Sequence, residues 1–355
     1  MAGKKVLMKG NEACAESAVL AGCRYFFGYP ITPQNELPEY LSRRMPEVGG
    51  TFVQSESELA AINMVYGAAA SGKRVMTSSS SCGISLKSEG ISYIAAAEVP
   101  CVIVDMSRRG PGIGGLQPTQ SSYRQATKGG GHGGYRCIVL APSSVQEAAD
   151  LMHDAFDLAD KWRNPVYIYA DGLIGQVMEP LVLKDAVVYE DLKQHPWATT
   201  GAEGRPRNMV NSGVSEEKFE YLNKEKYANI EAEEQRWVDE NLEDAEYVVT
   251  GFGTVGRITA TAVKRVREKT GKKIGFIRPI TAWPFPQKGY DKVDDSVKGV
   301  LVIEANAGQM ADDVKMAING RVPVYFEGTY GSTMPTVDDV VAMIEKLGTG
   351  KEVLY

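Results

Sequence analysis

The segment Cys101-Val-Ile-Val-Asp105 is a continuous, mostly apolar run, and three residues later the chain enters the glycine-rich loop Arg108-Arg-Gly-Pro-Gly-Ile-Gly-Gly-Leu-Gln-Pro118. A short uninterrupted apolar run is typical of a strand that is buried on both faces of a sheet. Comparable runs recur through the first half of the chain, at residues 25–29, 74–77, 136–140 and 165–170. Because helical patterns separate these runs, the sequence predicts a doubly wound parallel sheet, an α/β fold.

Two polar pairs mark predicted helix starts. Ser55 with Glu58 fits a capping box at the start of a helix over residues 58–71. Thr32 with Pro33 fits an N-cap followed by a proline in the first turn. Both pairs therefore have a structural role that is independent of any function.

The chain divides into three parts by its sequence pattern. Residues 1–185 alternate strand and helix patterns, and residues 244–355 resume that alternation on a smaller scale. Residues 186–243 are polar and charged, with no clear strand. We therefore predict two α/β domains joined by a polar connector that has one helix, near residues 216–241.

Composition argues against several classes of protein. The net charge of −6 over 355 residues indicates no excess of basic residues that would bind nucleic acid or an anionic membrane surface. No apolar run approaches the ~20 residues of a membrane span, and no signal peptide is visible, so we expect a cytoplasmic protein. The five cysteines include no CxxC pair and there are three histidines, so we expect no disulfide, iron–sulfur cluster or other metal site on this chain.

The motif Gly251-Phe-Gly-Thr-Val-Gly256 follows a predicted strand and opens a predicted helix, which is the setting of a dinucleotide-binding fingerprint. The acidic residue expected about 20 positions later is missing, because the next strand ends at Arg278-Pro279. A tight turn from strand to helix also needs glycine. An NAD-dependent dehydrogenase therefore stays open as an alternative that the motif does not favour.

Four segments carry polar or charged side chains that could form a site. Gly28-Tyr-Pro-Ile-Thr-Pro-Gln34 lies at the carboxyl edge of the predicted sheet, where ligands of α/β proteins bind. A carboxylate of Gln54-Ser-Glu-Ser-Glu58 could share the proton of a buried heteroaromatic nitrogen. The Arg108 loop suits a carboxylate, which a guanidinium binds bidentately, and Lys128-Gly-Gly-Gly-His-Gly-Gly134 adds a cation and an imidazole.

Taken in order, these segments resemble the α subunit of the 2-oxoacid:ferredoxin oxidoreductases. The resemblance continues through Met8-Lys-Gly-Asn-Glu12, Glu56-Ser-Glu-Leu-Ala-Ala61, Phe276-Ile-Arg-Pro-Ile-Thr-Ala-Trp-Pro-Phe285 and Glu304-Ala-Asn-Ala-Gly-Gln309. The Arg108 loop and the Lys128 segment are most similar in form to the 2-ketoisovalerate (branched-chain) subgroup. The 2-oxoglutarate subgroup usually has a Gly-Pro-Ser-Thr-Gly loop, from which this chain departs.

The resemblance implies a pyrimidine-binding domain for thiamine diphosphate at residues 1–185 and a transketolase C-terminal-like domain at residues 244–355. The implied reaction is the CoA-dependent oxidative decarboxylation of a 2-oxoacid to acyl-CoA and CO₂, with reduction of ferredoxin. In the family, a β subunit holds the diphosphate and Mg²⁺, and [4Fe-4S] clusters lie on partner chains. The implied partners are this β subunit, γ and δ (ferredoxin-like) subunits and ferredoxin, and the chain should be inactive without its partner subunits.

The resemblance also implies roles for single residues. The family glutamate that bonds the pyrimidine nitrogen falls on Glu58, with Glu56 as the second choice. Thr32 and Arg108 are expected to hold the carboxylate and keto oxygen of the substrate. The implied sets are catalytic Glu58, Arg108 and Thr32; cofactor-binding Glu58, Glu56, Tyr29, Pro30 and Ile31; and substrate-binding Thr32, Arg108, Arg109, Lys128 and His132.

Three alternatives remain beside this interpretation. The same chemistry could act on pyruvate or 2-oxoglutarate. A dehydrogenase could use Gly251–Gly256, and it would bind a nicotinamide cofactor without partner chains. A non-catalytic scaffold subunit would have lost its site, but Glu58, Thr32 and Arg108 are all present.

Overall fold

The computed structural model describes residues 5–188, 197–199, 213–330 and 333–355. The first part contains β1 (Lys5–Lys9), α1 (Gly10–Leu20), β2 (Tyr25–Gly28), α2 (Glu36–Glu47), β3 (Thr51–Gln54), α3 (Glu58–Ala70), β4 (Val75–Ser79), α4 (Cys82–Ala97), β5 (Cys101–Ser107), α5 (Tyr123–Thr127), β6 (Ile138–Leu140), α6 (Val145–Trp162), β7 (Pro165–Asp171), α7 (Gly172–Gln176) and β8 (Met178–Val182). The second part contains α8 (Glu216–Tyr221), a π-helical segment (Leu222–Lys226), α9 (Tyr227–Glu233), β9 (Trp237–Glu240), β10 (Tyr247–Thr250), α10 (Gly253–Thr270), β11 (Ile274–Pro279), β12 (Thr281–Trp283), α11 (Gln287–Tyr290), β13 (Val300–Glu304), α12 (Ala311–Ile318), β14 (Val324–Gly328) and α13 (Val337–Glu345).

A seven-stranded sheet forms the centre of the first domain, in the order β12-β6-β7-β5-β4-β2-β3. The strands from β6 to β3 are parallel, and every residue of β4, β5 and β7 is buried. The predicted runs that form β4, β5 and β7 are therefore confirmed as strands covered on both faces, whereas Tyr25 and Phe27 of β2 are half-buried. The carboxyl ends of β3, β4 and β5 bring the starts of α3 and α4 and the Arg108 loop to one edge.

A five-stranded sheet, β14-β13-β10-β11-β9, forms the centre of the second domain. Its strand β9 comes from the connector and pairs antiparallel with β11, so the prediction that the connector has no strand is wrong. The predicted helix over 216–241 also ends earlier, at Glu233. A half-buried edge strand of four residues is too short to show a period of two. Connector residues 189–196 and 200–212 lie outside the described part of the chain.

The start of α3 differs from the predicted capping box. Ser57, not Ser55, is the N-cap, and its hydroxyl accepts a hydrogen bond from the amide of Ala60 at 3.2 Å. The Ser55 hydroxyl donates instead to the carbonyls of Gly28 (3.1 Å) and Ser57 (2.8 Å). Ser55 thus ties the end of β2 to the start of α3.

The loop after β2 also differs from the prediction that Thr32 caps a helix. The helix that follows begins only at Glu36, and Thr32-Pro33 is a cis peptide within the loop. The Pro33 carbonyl accepts hydrogen bonds from the side chains of Asn11 and Gln176, each at 2.8 Å. The Met8–Glu12 motif therefore has a structural task, because its asparagine fixes the Thr32 loop.

The two domains are joined by buried polar contacts. The Gln120 side chain donates to the carbonyl of Phe252 at 2.8 Å and accepts from the amide of Ala305 at 3.0 Å. Arg278 pairs with Glu147 at 2.8 Å. Since Phe252 belongs to the glycine motif, the turn of this motif is packed against the first domain rather than open to a dinucleotide.

No helix in the described ranges combines the length and the apolar character that crossing a membrane would require.

Candidate functional site

The carboxylate of Glu58 lies at the first position of α3 and is buried, with 6% of the residue exposed. Within the described residues, no protein group forms a hydrogen bond or ion pair with this side chain. A Cβ atom at Gly83 would lie 2.7 Å from Glu58 Oε1, so only glycine leaves room for the carboxylate. Glu56, in contrast, is exposed.

A buried carboxylate without a donor is unfavourable unless a ligand satisfies it. The N-terminus of α3 favours negative charge through its dipole, but the Ser57 side chain caps the helix and does not contact Glu58. A ligand nitrogen that carries or shares a proton would complete the hydrogen bonds of this carboxylate. Glu58 therefore fits the pyrimidine ring of a thiamine cofactor.

A row of buried polar side chains begins beside Glu58. Ser79, Asp105 and Tyr169 are register neighbours on β4, β5 and β7, and each has polar side-chain atoms without a hydrogen-bond partner within the described residues. Burial raises the pKa of Asp105 to about 8, so this carboxyl group is protonated at neutral pH. None of these three residues is among the predicted site residues, although an aspartate within an apolar strand is a visible signal in the sequence.

Arg108 follows β5 and is 7% exposed. Its Nη1 donates to the carbonyl of Thr32 at 2.8 Å, and its Nη2 donates to the carbonyl of Ile113 at 3.1 Å and lies 3.6 Å from Cys82 Sγ. Its Nε has no partner within the described residues. The structure thus brings the Arg108 guanidinium and the backbone of Thr32 together at this edge of the sheet.

Two cavities lie at this edge of the sheet. The larger, about 560 Å³, is open and polar, and its lining includes Ser81, Cys82, Ser85, Arg108, Pro111 and Ser121. The smaller, about 200 Å³, has Gly28, Tyr29, Pro30, Phe52 and Gln54 in its lining. Tyr29 and Pro30 thus line the smaller cavity, while the Thr32 carbonyl bonds to Arg108 of the larger one.

Lys128 and His132, from the predicted segment 128–134, have their contacts away from Arg108. Lys128 forms an ion pair with Asp313 of the second domain. His132 is exposed and its ring lies against Tyr93, with centroids 6.1 Å apart. Tyr93 is eleven residues after Cys82 on α4, which places it about 16 Å further along the helix.

Arg109 is the last of the predicted site residues. Its side chain is exposed beside Arg108, although its backbone amide donates to the Gln117 carbonyl at 2.9 Å. That bond closes the glycine-rich loop, which holds the neighbouring Arg108 in place.

Two family models match the chain. The thiamine-diphosphate-binding model of pyruvate flavodoxin/ferredoxin oxidoreductases matches residues 16–244, and the model of pyruvate:ferredoxin oxidoreductase core domain II matches residues 245–340. Among similar curated proteins, ketoisovalerate oxidoreductase subunit VorB from Methanothermobacter marburgensis is 46% identical over 96% of this chain and 97% of its own length. The 2-oxoglutarate synthase subunit KorA from Methanocaldococcus jannaschii is 37% identical over 88% of this chain and 91% of its own length.

Among solved structures, a 2-oxoglutarate:ferredoxin oxidoreductase from Magnetococcus marinus, with 2-oxoglutarate, coenzyme A and succinyl-CoA bound, has a TM-score of 0.82 and 25% identity. The match covers 96% of this chain and 65% of that chain. An inactive β4 tetramer of a split-gene transketolase matches at a TM-score of 0.59 and 13% identity over 96% of this chain and 98% of its own, which concerns the fold alone.

We predict a pH-dependent stability effect of Asp105→Asn. Because the pKa of Asp105 is about 8 in the folded chain and near 3.8 when exposed, the folded state binds more protons, and Asp105 destabilises it progressively as pH rises from about 4 to 8. The free energy of unfolding of Asp105→Asn minus that of the wild type should therefore rise across this interval, by at most about 1.4 kcal/mol per pH unit. Denaturant titrations at several pH values measure it, with the exposed Asp185→Asn as control. A difference that does not change with pH would contradict the assignment.

Proposed function

The chain belongs to the 2-oxoacid:ferredoxin oxidoreductases, and we propose that it holds the pyrimidine half of thiamine diphosphate in an enzyme that oxidises 2-ketoisovalerate or a similar branched-chain 2-oxoacid. The proposed products are acyl-CoA and CO₂, and ferredoxin takes up the electrons. The observation that carries the proposal is the buried Glu58 carboxylate without a protein partner, at the same sheet edge as the Arg108 guanidinium.

Glu58 is the residue we assign to the pyrimidine ring. When bound, thiamine diphosphate supplies the electron sink that decarboxylation of a 2-oxoacid requires. Glu58 would share a proton between its carboxylate and the ring nitrogen, at a position where the residue is only 6% exposed. Tyr29, Pro30 and Ile31 are the residues we assign beside the ring, of which Tyr29 and Pro30 line the smaller cavity. The exposed Glu56 is a weaker candidate for the acidic role.

Arg108 and Thr32 are the residues we assign to the substrate. The guanidinium is already oriented by the carbonyls of Thr32 and Ile113 and lines the larger cavity, so it can bind the substrate carboxylate without first becoming ordered. The Thr32 hydroxyl would donate to the keto oxygen. Arg109 would add positive charge at the entrance, whereas the positions of Lys128 and His132 argue against direct roles for them.

The proposed substrate rests on relatives and on the loop sequence. VorB, at 46% identity, is named a ketoisovalerate oxidoreductase subunit, while KorA, at 37%, is named a 2-oxoglutarate synthase subunit. The loop of this chain also lacks the Gly-Pro-Ser-Thr-Gly form. Both observations favour a branched-chain acid over 2-oxoglutarate.

The electrons must leave through other chains. Within the described residues, no three His, Cys, Asp or Glu side chains are grouped so that they could hold a metal ion. We therefore propose that a β subunit supplies the diphosphate and Mg²⁺ half of the site, and that γ and δ subunits with iron–sulfur clusters pass electrons to ferredoxin in the cytoplasm. CoA would collect the acyl group.

We predict that the purified complex prefers 2-ketoisovalerate. Anaerobic, CoA-dependent reduction of a viologen dye should be measured with 2-ketoisovalerate, pyruvate, 2-oxoglutarate and an aryl pyruvate. The highest kcat/KM is expected for 2-ketoisovalerate, although a pocket discriminates one methylene by only about 1–3 kcal/mol. Preference for another acid would contradict the assignment to the 2-ketoisovalerate subgroup. No dye reduction in a complex that contains thiamine diphosphate and iron would refute the enzymatic role.

We predict that Glu58→Gln removes most of the turnover but leaves the complex assembled. Loss of a positioned proton-transfer group lowers kcat by about 10²- to 10⁴-fold. Assembly is checked by size-exclusion chromatography and turnover by dye reduction. Glu56→Gln is the matched control and should stay within about threefold of the wild type. The reverse pattern would move the role to Glu56.

We predict that Arg108→Ala acts mainly on substrate binding. Losing a hydrogen bond to a charged group costs about 1.5–3 kcal/mol, which corresponds to a drop of about 10- to 150-fold in kcat/KM, mostly through KM. Steady-state kinetics on the complex measure this change, with Arg109→Ala as the comparison at an exposed neighbouring position. An unchanged KM in Arg108→Ala would exclude its substrate role.

A further inference from the structure

The motif Glu304-Ala-Asn-Ala-Gly-Gln309 is part of the family resemblance, but the proposed chemistry gives it no role. It follows β13 of the second domain and leads into α12. Its last residue, Gln309, nevertheless belongs to the lining of the larger cavity, together with Arg108 of the first domain. The second domain therefore reaches the cavity in which Arg108 is expected to bind the 2-oxoacid.

The turn that carries Gln309 is held by buried hydrogen bonds. Glu304 is fully buried, and its carboxylate accepts from the amides of Met310 and Ala311, each at 2.9 Å. The Asn306 side chain donates to the same carboxylate at 2.8 Å and accepts from the amide of Gln309 at 3.0 Å. These bonds fix the main chain on both sides of Gln309, so its side chain leaves the turn in a defined direction.

The motif holds one wall of the larger cavity, the Ser121 segment (residues 119–125). Gln309 Nε2 donates to the Ser121 carbonyl at 2.7 Å, and Gln309 Oε1 accepts from the amide of Arg124 at 2.9 Å. The Asn306 side chain also donates to the carbonyl just before Ser121, at 2.9 Å. Main-chain groups of a first-domain segment are thus satisfied by side chains of the second domain.

The Ser121 segment is in turn connected to both sides of the cavity. Ser121 and Gln125 line it, and Gln125 Nε2 donates to the hydroxyl of Ser85 on α4 at 2.9 Å. The Ser121 hydroxyl donates to the carbonyl of Arg108 at 3.5 Å, and the Arg108 backbone forms a bridge with Pro118, just before the segment. A shift of this segment therefore moves the cavity wall and the main chain of Arg108 together.

We propose that Gln309 is a positioning residue for substrate binding, which fixes the Ser121 segment and, through it, the backbone from which Arg108 extends. The inference rests on the proposed role of Arg108. A binding group that is already held in place loses less conformational freedom when the ligand arrives, so loosening its support weakens binding. Gln309 thus acts on the carboxylate end that all 2-oxoacids share, without touching the reacting atoms.

The first test measures amide hydrogen exchange of the full chain by mass spectrometry. Gln309→Met keeps the length of the side chain and removes both its donor and its acceptor. Amides of the Ser121 segment should exchange at least about 10-fold faster in this variant, because the segment loses two of its hydrogen bonds. Unchanged exchange would overturn the inference.

Arg257 provides a matched control for the loss of a contact between the domains. It lies on α10 and pairs with Glu179 of β8 at 2.5 Å, and neither residue belongs to the motif, the Ser121 segment or the lining of the larger cavity. Arg257→Met should leave the exchange of the Ser121 segment and the KM for the 2-oxoacid unchanged. If Arg257→Met raised both as much as Gln309→Met does, the effect would belong to domain contact in general, and the inference would be wrong.

The second test uses the assembled complex and steady-state kinetics. Gln309→Met should raise KM for 2-ketoisovalerate about 5- to 30-fold, as expected for two lost hydrogen bonds, and should keep kcat within about threefold of the wild type. KM for any other accepted 2-oxoacid should rise by a similar factor. Gln309→Glu keeps the acceptor for Arg124 but has no donor for Ser121, so it must raise KM as well.

The outcomes separate the inference from the proposed function. Normal KM values in both Gln309 variants would overturn the inference, even if the Ser121 segment exchanged faster. A rise confined to one acid would also overturn it, because Gln309 would then contact the side chain of that substrate directly. If Arg108→Ala raises KM while the Gln309 variants do not, only the inference fails. If Arg108→Ala leaves KM unchanged, the proposed substrate site is itself wrong.

Discussion

Glu58 is 6% exposed, and no protein group within the described residues forms a hydrogen bond with its carboxylate, which is unfavourable unless a ligand supplies a donor. Two neighbours are arranged around it. Gly83 leaves the space, and Ser57 caps the helix so that Glu58 does not have to. Such an arrangement has a clear purpose only if a ligand completes the hydrogen bonds of the carboxylate.

The parallel sheet brings the other parts of the site to this position. The carboxyl ends of β2, β4 and β5 place the Thr32 loop, the start of α4 and Arg108 at one edge. Arg108 is held by the Thr32 carbonyl, and the loop of Thr32 is held in turn by Asn11 and Gln176 through Pro33. The substrate side of the site therefore depends on hydrogen bonds from helices α1 and α7, on which no catalytic role falls.

The sequence predicted the central strands well, because a short apolar run such as Cys101–Asp105 is stable only where both of its faces are covered. It predicted Glu58, Thr32 and Arg108 by resemblance, and the structure brings Thr32 and Arg108 into contact. It failed where local patterns were ambiguous. Ser55 and Ser57 are both good caps, and only the hydrogen bond from Ser55 to Gly28, distant in sequence, decides between them. Strand β9 was too short for its period to be seen.

Lys128 and Lys87 show that the surroundings of a charged side chain cannot be predicted from local sequence alone. Lys128 sits in a loop that looked functional, but Asp313, far along the chain, pairs with it. Lys87 was not among the predicted site residues, and it follows Ile84 and precedes Ile91 and Ile94 at the spacing of a buried face. Its burial depends on which face of α4 meets α3, which no local pattern specifies.

The most direct measurement is a structure of the assembled complex with thiamine diphosphate bound. We predict a carboxylate oxygen of Glu58 within about 2.6–3.2 Å of a nitrogen of the pyrimidine ring. A ring nitrogen bonded to Glu56, or to a side chain of a partner subunit while Glu58 stays without a ligand contact, would contradict the role assigned to Glu58.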